Sequence, residues 1–227
     1  MRLQVSFKPF RPLLACACAL LSVSAIQAAT VNFSVDLNVA SLAGNGNGPF
    51  SLDFQLNQGA GAVINAVTLG NFSFVGGTPT GSATLTGGAT GDLGSTVSLT
   101  DSANPFNEFF QGFSAGTTDI LFDGSITTNV DPTTPDAFSM AVLDGSLFNI
   151  PTTGLGDSLL LVNIAAVNLS SADFQTFTST SPDSGVTVTA TITPEPGTVG
   201  MALIAGLMAL GCGARARTAG LLKNFRC

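Results

Sequence analysis

From Val31 onward, hydrophobic side chains recur at every second position. Val31, Phe33, Val35, Leu37 and Val39 alternate strictly with polar residues, and Phe50, Leu52, Phe54 and Leu56 repeat the pattern. Shorter alternations follow at Val67/Leu69, Phe72/Phe74, Ala83/Leu85, Val97/Leu99, Phe138/Met140/Val142 and Val186/Val188/Ala190/Ile192. A period of two lines one face of a strand, whereas a helix needs a period of about 3.6. Turn-forming clusters lie between these segments, at Gly44-Asn45-Gly46-Asn47-Gly48-Pro49, Gly76-Gly77-Thr78-Pro79, Gly87-Gly88, Asp123-Gly124-Ser125 and Asp144-Gly145-Ser146. Gly, Asn and Asp tolerate the tight backbone conformations that reversals require. Many half-buried strands at short spacing predict an all-β body over 30–193, an antiparallel β-sandwich or jelly roll. The run 159–167 (LLLVNIAAV) lacks clean alternation. It reads as a central strand covered on both faces or a short helix, the strand being favoured because no capping signal opens a helix there. Phe106, Phe109, Phe110 and Phe113 read as core beneath a long loop, with a binding patch as the alternative.

Charge divides the chain into three. Between Arg11 and Arg215 there is no lysine, arginine or histidine, and that stretch holds all fourteen acidic residues. Arg2, Lys8 and Arg11 precede an apolar run over 13–26 that exits through Ile26-Gln27-Ala28-Ala29. A basic head, an apolar core and a small-residue exit predict a secretory signal helix over 1–29, cleaved after Ala28 or Ala29. A buried helix is the plain alternative, and it leaves the head and the exit as coincidence. A lipoprotein reading through Leu13-Leu14-Ala15-Cys16 fails, because too few apolar residues precede the cysteine. At the other end, 198–214 carries seventeen uncharged residues. At about 1.5 Å rise per residue these reach ~26 Å as a transmembrane helix, enough for a thin bilayer. Arg215 and Arg217 flank this span, hold its far end on the cytoplasmic side and make 218–227 a cytoplasmic tail.

Pro194-Glu195-Pro196, a spacer, a Gly/Ala/Leu/Met-rich apolar helix and a terminal arginine cluster together resemble the PEP-CTERM sorting signal, also labelled the ice-binding-protein C-terminal domain, over 194–217. The resemblance implies that Pro194, Glu195 and Pro196 are the recognition element of an exosortase, a membrane-embedded protease that removes the tail. It further implies a Gram-negative bacterium, export through the Sec translocon, the inner membrane in transit, and a final place at the cell surface or outside. Members of that family stop at or just after the arginines, while this chain continues through Thr218 to Cys227. The body is similar to a PEP-CTERM family of unknown function at Gly48-Pro49-Phe50-Ser51-Leu52-Asp53-Phe54-Gln55-Leu56, Gly81-Ser82-Ala83-Thr84-Leu85-Thr86, Asn107-Glu108-Phe109-Phe110-Gln111-Gly112-Phe113 and 131–144. That likeness implies an exported β domain without known activity, in an exopolysaccharide or biofilm setting.

The chemistry available to the body is narrow. Serine and cysteine nucleophiles need a base and phosphate clamps need Arg or Lys, and none is present. A carboxylate pair can hydrolyse glycosides, but sugars are normally held on Trp or Tyr faces, and the chain has neither among its 17 phenylalanine aromatics. Asp183-Ser184-Gly185 matches the aspartic-protease tripeptide, yet it stands alone after Pro182 and reads as a turn. The expectation is no enzyme. Cys16, Cys18, Cys212 and Cys227 all lie in the terminal segments, so Cys/His metal clusters are excluded from the body. With Glu195 set aside, thirteen of the fourteen acidic residues belong to the body. They read as solvated loop charges, or else as a Ca²⁺ site in which Asp119, Asp123, Asp131 and Asp136 form the densest set. The corresponding functional alternative is a calcium-dependent carbohydrate- or protein-binding module. Phosphate backbones are repelled by this charge, so nucleic acid is not a partner. Thr187, Thr189, Thr191 and Thr193 form a one-sided row, read as an exposed strand face or a ladder that meets ice or sugar. The sequons at Asn32, Asn71 and Asn168 fall in segments read as strands and are taken as incidental.

Overall fold

The alternating segments fold as strands. The computed structural model describes residues 29–61, 63–131 and 133–193, and contains β1 (Thr30–Asn38), β2 (Ser51–Asn57), β3 (Ala66–Val75), β4 (Pro79–Thr86), β5 (Thr90–Gly91), β6 (Val97–Thr100), β7 (Phe106–Phe113), β8 (Asp119–Thr127), β9 (Asp136–Leu143), β10 (Leu160–Ile164), β11 (Phe174–Thr176) and β12 (Thr187–Thr193). They form two six-stranded antiparallel sheets, ordered β12-β1-β8-β3-β6-β5 and β11-β10-β9-β2-β7-β4. The expected signal helix with Ala28, the sorting motif Pro194, Glu195 and Pro196, the span 198–214, the arginines Arg215 and Arg217, and the tail 218–227 lie outside the described residues. Among the described residues no helix is long and apolar enough to cross a membrane.

The two sheets face each other across one core. Phe33, Val35, Leu37, Ile120, Phe122 and Ile126 from the first sheet join Leu52, Phe54, Leu56, Phe109, Phe138 and Met140 from the second in a single buried cluster. Phe54 ties the layers together: its ring centroid lies 5.5 Å from Phe122 in edge contact, 6.0 Å from Phe109 and 6.2 Å from Phe138. Each such buried side chain contributes about 1.5–3 kcal/mol, and an aromatic pair adds about 0.5–1.5 kcal/mol. With no cation between Arg11 and Arg215, ion pairs within the body contribute nothing, and apolar burial carries the stability.

Four sequence expectations are corrected. Asp123-Gly124-Ser125 is no turn but the middle of β8. Gly124 faces inward opposite Phe33, and a Cβ there would lie 2.5 Å from Phe33 Cε1 and closer still to Cζ. The phenylalanine ring fills the space of the missing side chain, so the alternation breaks at the one position where a neighbour supplies the bulk. The phenylalanines at 106–113 are a strand, β7, not a loop-covered cluster: Phe109 and Phe113 enter the core while Phe106 is exposed. The run 159–167 yields β10, one place from the sheet edge, with Leu160, Val162 and Ile164 buried and Leu161 and Asn163 half-buried. It is therefore covered on one face rather than two. Asn168 lies in the loop after β10 and not in a strand.

The alternations at Val67/Leu69 and Phe72/Phe74 belong to one strand, β3, interrupted by a bulge between Gly70 and Ser73. The extra residue shifts the phase by one, so that Phe72 and Phe74 turn toward the core as Val67 and Leu69 do. Asn71 takes up the bulge with a left-handed φ of 56°. At the opposite edge of the first sheet, Thr193 pairs with Asn32. The body therefore begins and ends at the same end of the sandwich, here called the terminal end.

Candidate functional site

The outer face of the first sheet is polar across its β12-β1-β8 part except at Leu121. Thr187, Thr189, Thr191 and Thr193 stand opposite Asn38, Asp36, Ser34 and Asn32, which in turn stand opposite Asp119, Leu121, Asp123 and Ser125. The threonine row is exposed, as an outward strand face requires. Two adjoining depressions cross this face. One of about 380 Å³ is lined by Ser34, Asp36, Asn71, Leu121, Thr189 and Thr191, with Asp123. The other, about 200 Å³, lies beyond and includes Asn32, Thr68 and Ser125. Both include Asn71 and Asp123, and the Asn71 Nδ2 donates to Asp123 Oδ2 at 2.9 Å. The bulge lifts Asn71 across the sheet, so this hydrogen bond forms a crossbar between the depressions.

The four calcium candidates do not converge. Asp119 and Asp123 share the outer face of β8, and Asp119 accepts from Asn38 Nδ2 and Thr118 Oγ1, each at 2.8 Å. Asp131 and Asp136 are buried at the terminal end. Among the described residues no three His, Cys, Asp or Glu side chains stand close enough to hold a metal ion.

Sequence reasoning did not single out Asn65, which organises the terminal end. Its Nδ2 donates to Asp136 Oδ2 at 2.5 Å and to the Asn129 carbonyl at 2.8 Å, and its Oδ1 accepts from the Asn129 amide at 2.8 Å. Its backbone N–H donates to Asp101 Oδ1 at 2.7 Å. Gly59 N–H completes the set by donating to Asp136 Oδ1 at 2.6 Å. Asp101 Oδ2 is buried without a partner. Burial, together with the Asp136 carboxyl beside it, pushes the Asp101 carboxyl up to about 6, while the Asn65 amide opposes the rise. Asp131 behaves oppositely: donors from Thr133 hold its carboxyl below the usual range. Removing the Asn65 side chain takes away the partners of the buried Asp136 Oδ2 and of the Asn129 amide and carbonyl. Asn65→Ala is therefore expected to cost about 3 kcal/mol. A urea midpoint that moves by less than about 1 kcal/mol equivalent overturns this.

Asp53 occupies an unusual place on the outer face of the second sheet. It follows the outward phase of β2 yet is only 1 % exposed, and its Oδ1 has no partner. Gln55 Nε2 donates to Asp53 Oδ2 at 2.8 Å. Burial pushes this carboxyl up to about 7; the Gln55 hydrogen bond works against the rise and the Glu108 charge works with it. At the end away from the termini, Asp183 Oδ1 accepts from Asn45 Nδ2 and Asn47 Nδ2, each at 2.8 Å. The aspartate of Asp183-Ser184-Gly185 thus clasps the glycine-asparagine loop, a structural task. No family model matches the chain, and neither a curated protein nor a solved structure does.

Proposed function

We propose that the chain is an exported cell-surface or released protein of a Gram-negative bacterium, sorted through its 194–217 tail by an exosortase and serving a structural role in an exopolysaccharide matrix. The observation that carries this reading is the position of Thr193. It is the last residue of an edge strand and leads directly into Pro194-Glu195-Pro196. The last strand of the described body ends immediately before the motif, the place where a sorting protease would have to cut without cutting the body. The signal helix over 1–29 and the transmembrane helix over 198–214 belong to the same proposal. The winding is read as a jelly roll, because β1-β8-β3-β6 and β2-β7-β4 divide seven of the first eight strands between the sheets in the order of two Greek keys, with the two-residue β5 beside β6 instead of β4. The protein is read as non-enzymatic, since the body has no histidine or lysine to serve as the base of a hydroxyl nucleophile. A calcium-dependent module has less support, because its four carboxylates are split between an outer face and a buried end.

Glu195→Ala is expected to leave export intact and to block tail removal in the native host, so that a membrane-bound precursor accumulates. Gel mobility and membrane fractionation read this out. Sequencing of the mature N-terminus is expected to give Ala29 or Thr30. A Glu195→Ala protein that matures as fast as the parent removes the sorting reading and leaves the tail as a plain anchor.

A further inference from the structure

We propose that the crossbarred groove on the outer face of the first sheet binds a strand of amino-sugar polysaccharide, a hydroxyl-rich chain that carries protonated amines. The inference rests on the matrix reading above and names the class of polymer it involves. The groove offers hydroxyls from Ser34, Thr189 and Thr191, the Asn71 amide, and the carboxylates of Asp36 and Asp123. Hydroxyls and the amide both donate and accept, as a polyol requires, whereas the carboxylates only accept. Register sets these groups side by side: Thr189 opposite Asp36, Thr191 opposite Ser34, and Ser34 opposite Asp123. They form a continuous polar lattice on three rigid strands rather than a chance meeting of loops. Leu121, 38 % exposed, supplies an apolar platform, against which the C–H face of a sugar ring can lie.

Charge decides among hydroxylated polymers. Asp36 and Asp123 are both exposed, and no basic residue lies between Arg11 and Arg215 to neutralise them. An acidic polysaccharide is repelled from this face, and a neutral one leaves two carboxylates without a countercharge. A polymer with spaced ammonium groups meets both the carboxylates and the hydroxyls. The two depressions on either side of the Asn71–Asp123 crossbar suit an extended chain that passes over it and engages both. Binding of each sugar is weak on so open a face, and several linked sugars bind together.

The test is calorimetric titration of the full-length protein with a glucosamine hexamer, an N-acetylglucosamine hexamer and a lysine hexapeptide. The expected result is saturable binding of the glucosamine hexamer that weakens with added salt. It should be at least tenfold tighter than either competitor and lost by at least tenfold in Asp36→Asn/Asp123→Asn. Asn71→Gly removes the crossbar at a position whose left-handed φ suits glycine. This variant should keep the parent's melting temperature and bind severalfold more weakly. Equal binding of the N-acetylated hexamer, or of hexalysine, overturns the proposal, as does unchanged binding by both variants. Co-sedimentation with exopolysaccharide from the native host separates the two levels. Retention there without hexamer binding sinks this inference and leaves the matrix role standing, whereas failure in both assays sinks both.

Discussion

Raising the pH from 4 to 8 is expected to destabilise this protein by about 4–6 kcal/mol, against the common pattern in which acid unfolds. Asp53 and Asp101 are the cause: their folded-state values of about 7 and about 6 lie above the ordinary 3.8. Well below 3.8 the folded and unfolded chains both hold these protons, and well above 7 neither does. In between, only the folded chain holds them, so it binds more protons and loses stability as pH rises through that window. At about 1.4 kcal/mol per unit, the covered Asp53 accounts for about 3–4 kcal/mol. Asp101 adds about 1–2 kcal/mol once solvent screening is allowed for. Asp131 acts in the opposite sense, its contribution being lost only as acid protonates it. Repulsion among thirteen uncompensated carboxylates pushes in the same direction as Asp53, because it too grows with pH. Urea unfolding at pH 4.5, 6 and 8 measures the slope. Asp53→Asn should flatten it and stabilise the protein at pH 8. A stability maximum at pH 8 in the parent would falsify this account.

Gly124→Ala is expected to cost about 2–3 kcal/mol, and Gly124→Val to prevent folding. A single methyl at this site meets the Phe33 ring, which is itself held by Phe174 at 5.2 Å and Phe138 at 6.3 Å and has no free direction in which to turn. The collision is specific, so it is reversible by its partner. Phe33→Leu alone should destabilise by about 1–2 kcal/mol, and combining it with Gly124→Ala should recover part of both losses. Strict additivity of the two changes, measured by thermal unfolding, argues that the ring does not lie over the glycine.

The fold was legible where side chains alternate by bulk alone. β1, β2, β9 and β12 announce themselves because each inward position is filled by its own residue. β8 hides, because at Gly124 the inward volume belongs to Phe33, far away in sequence, and no local pattern records that loan. β3 looks like two strands because the bulge at Asn71 resets the phase of the alternation. The candidate site was half visible. The threonine row showed in the sequence, but its neighbours Ser34, Asp36 and Asp123 join it only through strand pairing across more than sixty residues. Asn65 and Asp101 left no trace, since a lone Asn or Asp beside a strand is indistinguishable from a solvated loop residue until tertiary contacts bury it. Asp53 misleads for a related reason: its outward phase in β2 promises exposure, and only the structure shows it covered.

The antiparallel placement of β12 at the rim of the first sheet has a mechanical consequence. A pull on the chain beyond Thr193 runs along the axis of that strand. The seven register pairs from Asn32↔Thr193 to Asn38↔Thr187 are then loaded in shear, all together, rather than peeled one at a time. Val188, buried at the inner face of the strand, must also slide past its neighbours before the edge detaches. A sandwich pulled through its last strand thus resists force best along the axis of that strand.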